Sequence, residues 1–179
     1  MAIPGPEERQ RFEALVGEVY EPLQRYLRRR IDPVGADEVL GDALLVMWRR
    51  VHDIPSDSAL PWCYGVARAC LANKRRGGER HLKLLRRLAH ERVASPPNED
   101  PILDAALNCL PEADREVLRL WAWEQLAPRE MAIILGITPN AASIRLHRAT
   151  QKLKAEFFRR KDRGLPGQSR EQQGKEAAP

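Results

Sequence analysis

The stretch 128–149, PREMAIILGITPNAASIRLHRA, gathers the side chains best suited to chemistry in this chain, and that chemistry is recognition. Asn140, Ser143, Arg145, His147 and Arg148 lie close together there, and their amide, hydroxyl, imidazole and guanidinium groups suit base edges and phosphates. The frame around them predicts a helix-turn-helix. Pro128 sits where a first helical residue tolerates a missing N–H, and Ala132 is small enough for two helices to approach closely. Gly136 can take the positive φ that closes a helix, and Thr138-Pro139 supplies an N-cap and a first-turn proline for the next one. That second helix fits a major groove. An ordinary helical hairpin with solvated charges is the plainer alternative.

Bond-making chemistry finds no comparable cluster. His52, His81, His90 and His147 are scattered without an HExxH spacing, and no glycine-rich loop follows a strand. Cys63, Cys70 and Cys109 are an odd set with no CxxC pair, which argues against a disulfide framework or a tetrahedral zinc site. They read as small buried hydrophobes, with a redox-sensing thiol as the alternative. No catalytic residue, metal or cofactor is expected.

Charge supports a polyanionic partner. The 179-residue chain carries a net +5, yet residues 74–92 and 145–163 each hold eight Lys or Arg against two acidic residues. The rest of the chain is therefore net acidic, which suits a second, different partner. The opening MAIPGPEERQ lacks the apolar core of a signal peptide, and no apolar run could span a bilayer. An intracellular, cytoplasmic protein is the expectation.

The elements that must position these groups are helical. Phe12, Leu15, Val16, Val19, Tyr20, Leu23 and Leu27 recur at steps of three and four, and Pro22 is expected to kink or divide that helix. After the turn-like Asp32-Pro33-Val34-Gly35, a second stripe runs from Val39 to Val51. Asp37, Glu38 and Asp42 gather in its first half, where carboxylates favour the positive dipole end. Loop 54–61 leads to a third helix from about Trp62 to Arg76, which Gly77-Gly78 should end. A basic linker helix over 79–93 and a proline-rich boundary at 95–101 follow. No strand pattern appears. The expected architecture is all-α: two small helical domains, 8–78 and 102–160, joined by a short linker over 79–101, with a disordered tail over 161–179.

The order of these pieces resembles the extracytoplasmic-function group of bacterial sigma factors, over roughly residues 8–160. ADEVLGDALLVMWRRV looks like the helix that docks on the clamp helices of the polymerase largest subunit. PWCYGVARACLANKRR looks like the helix that opens and reads the minus-ten element. LPEADREVLRLWAWEQLAPREMAIILGITPNAASIRLHRA looks like the region that reads the minus-thirty-five element. The resemblance implies a non-enzymatic subunit, nucleoid-associated when bound to core RNA polymerase through its largest and second-largest subunits. It also implies promoter DNA as a partner, an anti-sigma factor as a further one, and no insertion into the membrane.

Residue roles follow from the resemblance together with physical chemistry. Asp37, Glu38 and Asp42 would make the docking surface partly acidic for an arginine-bearing coiled coil. Where the family carries Gln in that helix, this chain has Gly41, so either the helix is weakened or a backbone approaches closely there. Trp62, Tyr64, Arg68, Asn73, Lys74, Arg75 and Arg76 would hold single-stranded DNA by stacking and charge. Trp62 and Tyr64 cannot share one helical face; Trp62 is expected in the core and Tyr64 on the bases. Loop 54–60 would capture a flipped-out base, and Ala69 stands where the family often has Asn. Thr138, Asn140, Ser143, Arg145, His147 and Arg148 would meet the minus-thirty-five duplex, Ser143 replacing a common Lys or Arg. Ala142 and Leu146 should face the core. The competing reading is a stand-alone helix-turn-helix regulator with an N-terminal dimerisation or sensor domain.

Overall fold

The computed structural model describes residues 5–85 and 100–163, with side chains described over 5–77 and 100–162. These residues form seven α-helices and one short 3₁₀ turn, with no strand among them. Helices α1 (Pro6–Arg28), α2 (Pro33–Arg49) and α3 (Ala59–Leu85) make the front half; the 3₁₀ turn Val51–Asp53 lies between α2 and α3. Helices α4 (Pro101–Asn108), α5 (Glu112–Ala122), α6 (Pro128–Leu135) and α7 (Pro139–Arg163) make the rear half. The expected linker segment 86–99 and the tail from 164 onward lie outside the described residues.

Local signals explain most boundaries. Asp32 caps α2, its Oδ1 accepting from the Gly35 N–H at 2.9 Å, with Pro33 in the first turn. The expected turn at 32–35 is thus the start of the helix. Asp100 caps α4 in the same way, accepting from Ile102 and Leu103 N–H at 2.8 and 3.2 Å.

Two places where a helix was expected to divide or end lie inside continuous helices. Pro22 does not divide α1. A proline removes one intrahelical bond, but Val19, Leu23, Tyr26 and Leu27 beside it are fully buried, and their packing outweighs the loss. Helix α3 likewise continues through Gly77-Gly78 to Leu85. Glycine weakens a helix by about 1 kcal/mol but ends it only by taking a left-handed conformation. Among the described residues, Gly136 alone of the glycines has positive φ.

The two halves lie against each other. One buried cluster extends from Leu15, Leu23, Val39, Met47 and Leu71 in the front half to Val117, Leu120, Met131, Ile134 and Ala142 in the rear. Helix α6 crosses α3 so closely that a Cβ on Gly65 would stand 3.7 Å from the Ile134 Cα. A smaller cluster of Leu110, Leu118 and Ala149 anchors α7 within the rear half, flanked by Leu107, Leu146 and Leu153.

Candidate nucleic-acid interface

The helix-turn-helix forms as its residue types require. The Glu130 carboxylate accepts from the Ala127 N–H at 2.7 Å, closing the start of α6 with Pro128 in its first turn. Gly136, at φ 64°, ends it, and the Ile137 N–H turns back to the Ala132 carbonyl at 3.1 Å. Thr138 then caps α7, its Oγ1 accepting from the Ala141 N–H at 3.2 Å. Ala132, Met131 and Ile134 are buried, as are Ala142 and Ala149 on α7, so the second helix is held by its small-residue face.

Its opposite face carries the recognition groups. Asn140, Ser143, His147 and Arg148 are exposed on successive turns, and Arg145 is half-buried to one side. Leu146 is partly buried against both clusters. The Ser143 hydroxyl donates to the Pro139 carbonyl at 3.1 Å, which leaves its oxygen able to accept. Ile144 is also exposed on this face, an apolar member that the search for polar side chains passed over. It could meet a thymine methyl.

In the front half, α2 displays Asp37, Glu38 and Asp42 on one exposed face with Gly41. Asp37 lies 3.8 Å from Arg28, and Glu38 pairs with Lys74 on α3. A Cβ at Gly41 would meet nothing within 4 Å, so no part of this chain approaches it. Val34 and Leu45, 69% and 47% exposed, stand three residues outside either end of the acidic group and share its face. Sequence reasoning missed both, although their spacing from Asp37 and Asp42 was the available signal.

The aromatic assignment fails at Tyr64. Tyr64 is 3% exposed and its ring lies 5.1 Å from that of Tyr26; burial pushes its phenol up to about 12. Together with Ala67 and Leu71 it makes the i, i+3, i+7 stripe by which α3 packs, so it is a core residue and not a base contact. Trp62, expected in the core, is partly buried and packs against the edge of the main cluster, with the Arg50 guanidinium 5.4 Å from its ring. Arg50 is in turn held by Asp53 at 2.8 Å.

Arg68, Asn73 and Arg76 are exposed along α3, and Arg76 donates to Asn73 Oδ1. Ala69 is exposed among them. Lys74 and Arg75 face partners within the chain: Arg75 reaches Glu112 at 3.3 Å and donates to the Arg30 carbonyl at 2.9 Å. Loop 54–60 is tied to α1 by Arg11 donating to the Ile54 carbonyl at 2.7 Å. Beside this contact lies a cavity of about 180 Å³, lined by Leu15, Glu18, Val51, Ser56 and Ala59 among others.

The cysteines divide. Cys63 is buried and its thiol is pushed up to about 12; Cys70 is partly buried and raised, by burial first and by Asp42 second. Cys109 is exposed, with Arg160 Nη2 at 2.7 Å from its sulfur, so the expectation of burial holds for Cys63 and fails for Cys109. Among the described residues no group of His, Cys, Asp and Glu could hold a metal ion.

An all-α chain whose rear half ends in an exposed basic recognition helix belongs to the helix-turn-helix DNA-binding class. Residues 101–153 match the family model for region 4 of sigma-70. The chain is 30% identical over 158 residues to the RNA polymerase sigma-E factor of Streptomyces coelicolor, covering 83% of this chain and 87% of that one. This chain therefore belongs to the extracytoplasmic-function group of RNA polymerase sigma factors.

Solved structures share the fold. The sigma factor RpoE of Bartonella quintana, solved with the anti-sigma factor NepR, aligns with TM-score 0.65 and 19% identity over 82% of this chain and 96% of that one. The PhyRSL-NepR complex of Sphingomonas sp. Fr1 aligns at 0.63 with 15% identity, covering 92% and 98%. CnrH, solved with the cytosolic domain of CnrY, aligns at 0.59 with 23% identity, covering 83% and 88%.

Proposed function

We propose that this alternative sigma factor divides its work between its halves. Residues 8–78 dock on core RNA polymerase and hold the melted minus-ten element; residues 102–160 read the minus-thirty-five duplex. Residues 79–101 join them, and 161–179 form a tail. The observation that carries this reading is a pair of exposed faces of opposite character. The α2 face sets three carboxylates between two apolar side chains, Val34 and Leu45, and suits a basic coiled coil. The α7 face sets Asn140, Ser143, His147 and Arg148 around a helix N-terminus and suits duplex DNA.

Strand opening asks for no catalytic group, only a surface that holds single strands better than duplex. Trp62 is the aromatic available for stacking, and Arg68, Asn73 and Arg76 lie along the same helix for the backbone. The cavity beside loop 54–60 is where an extruded base would lodge. Phosphodiester chemistry belongs to the polymerase. Among the described residues no helix is long and apolar enough to cross a membrane, and the proposed site of action is the cytoplasm, on the nucleoid when polymerase-bound. An anti-sigma factor, of the kind that accompanies the Bartonella protein, is a further proposed partner.

The test is competition for core polymerase followed by run-off transcription. Wild-type chain should co-purify with core enzyme and direct initiation. The triple variant Asp37→Lys, Glu38→Lys, Asp42→Lys should compete poorly while its rear half stays folded. Normal competition by the triple variant would remove the docking assignment. Duplex binding that needs no polymerase would favour a stand-alone regulator.

A further inference from the structure

The outward face of α7 carries two parallel ridges of side chains. Asn140, Ile144 and Arg148 make one at steps of four, and Ser143 and His147 make the other; all five are exposed. Ile144 is 44% exposed and sits on its ridge between an amide and a guanidinium. Exposed apolar side chains are ordinary when scattered over a surface. This one stands in the middle of the group proposed to meet bases, where every other exposed member can hydrogen-bond.

Beside it, Ser143 acts in one direction only. Its hydroxyl proton is committed to the Pro139 carbonyl at 3.1 Å, so outward it offers lone pairs. A serine free to rotate meets any base, donating or accepting as required. Ser143 in this geometry receives a hydrogen bond and gives none.

Together the two side chains specify a base edge. In the major groove an acceptor oxygen requires an amino donor, which adenine N6 and cytosine N4 supply. Guanine presents O6 and N7, both acceptors, and would set lone pair against lone pair. The apolar side chain one residue further on matches a methyl group, and among the four bases thymine carries it. Amino group and methyl group occur together on the edge of one A·T pair. A G·C pair has the amino donor without the methyl. A lysine or arginine at position 143 would instead favour guanine, through O6 and N7.

We propose that Ser143 and Ile144 are a specificity-determining pair, selecting one A·T base pair within the minus-thirty-five duplex; this rests on the promoter reading above. Ser143 accepts from adenine N6, and Ile144 covers the thymine methyl. Asn140 and Arg148, one turn to either side of Ile144, meet the flanking positions.

The test presents full-length chain and core polymerase with a duplex pool randomised across both promoter elements. Sequences retained by wild type should share an A·T pair at one minus-thirty-five position. Replacing that thymine by deoxyuridine removes only the methyl group, and should weaken binding about fourfold, the usual value for one buried methyl. Replacing the paired adenine by purine removes the 6-amino group, and should weaken binding about fivefold. Ile144→Ala should erase the deoxyuridine effect and keep the purine effect, and Ser143→Ala should do the reverse. Ser143→Arg should move the preferred base at that position to guanine, a gain that a damaged fold cannot produce.

Equal binding of the thymine and deoxyuridine promoters by wild type would overturn the proposal. So would an undiminished deoxyuridine effect in the Ile144→Ala chain, or guanine retained by wild type where Ser143→Arg retains it. The same pool is also presented to the chain without polymerase. Dependence on Ser143 and Ile144 seen there, with no initiation by the holoenzyme, would sink the promoter reading and leave the base contact standing.

Discussion

Trp62 and Tyr64, two residues apart, now have opposite expected phenotypes. Trp62→Ala should keep the fold, at a smaller cost in stability than at Tyr64 because Trp62 is only partly buried, and weaken single-strand binding by about 1–3 kcal/mol, the usual worth of one stacked base, measured with a fluorescent minus-ten oligonucleotide and holoenzyme. Tyr64→Ala should instead destabilise the chain by about 3–5 kcal/mol, seen in denaturant unfolding, because it empties a packed site beside Tyr26. On α7, replacing Arg148 should cost about 1–3 kcal/mol at one base pair if it reads a base. If it holds a phosphate, the salt slope should fall by about one. Neither change in duplex binding would place Arg148 off the DNA. Ala69→Asn should sharpen discrimination at one minus-ten position, by adding a base-edge donor and acceptor to an exposed site.

At the scale of elements, α2 carries an avoidable weakness. Gly41 sits mid-helix, exposed, with open space where a Cβ would be. Gly41→Ala should therefore stabilise the chain by up to about 1 kcal/mol, read as a raised thermal midpoint. A stability gain accompanied by weaker core-polymerase binding would show that the gap is kept for a partner's close approach. A stability gain without that loss would make the glycine a plain defect of the helix. Thr138→Ala removes the cap of α7 and should cost about 1 kcal/mol, with a matching loss of duplex affinity because the recognition turn frays first.

The whole molecule should be sensitive to alkali. Burial holds the Tyr64 phenol neutral up to about 12, and drives Tyr26 up in the same direction, with Glu116 adding to it. Unfolded, either phenol ionises near its ordinary value of about 10. The folded state thus binds more protons than the unfolded one between these values. Stability should be full below about pH 10 and fall as pH rises through about 12. Phenolate absorbance from these two residues should appear together with the loss of helical circular dichroism. Tyr64→Phe should blunt the effect, and an unchanged alkaline profile in that variant would contradict the assignment.

The helices, their caps and the helix-turn-helix were legible in the linear order of residues, because capping, glycine closure and amphipathic spacing act over four or five residues. Gly136 and Thr138 behave as their types demand. Ala142 likewise lies on the packed face of α7, and Leu146 packs partly against both clusters. Pro22 does not divide α1 because its local penalty yields to the burial of Val19, Leu23, Tyr26 and Leu27 around it, and Gly77 misled because a glycine without a left-handed backbone weakens a helix but does not end it. The choice between Trp62 and Tyr64 also depended on what lay opposite α3, and Tyr26 on α1 decided it. Only the tertiary structure could reveal the buried pairing of Arg30 with Glu116 and Glu124. Arg30 and Glu116 are 86 residues apart, and nothing in the run Arg28-Arg29-Arg30 distinguishes a solvated cation from one buried between two carboxylates. Long-range electrostatics depends on how the halves meet, and that is settled by packing rather than by neighbouring residues.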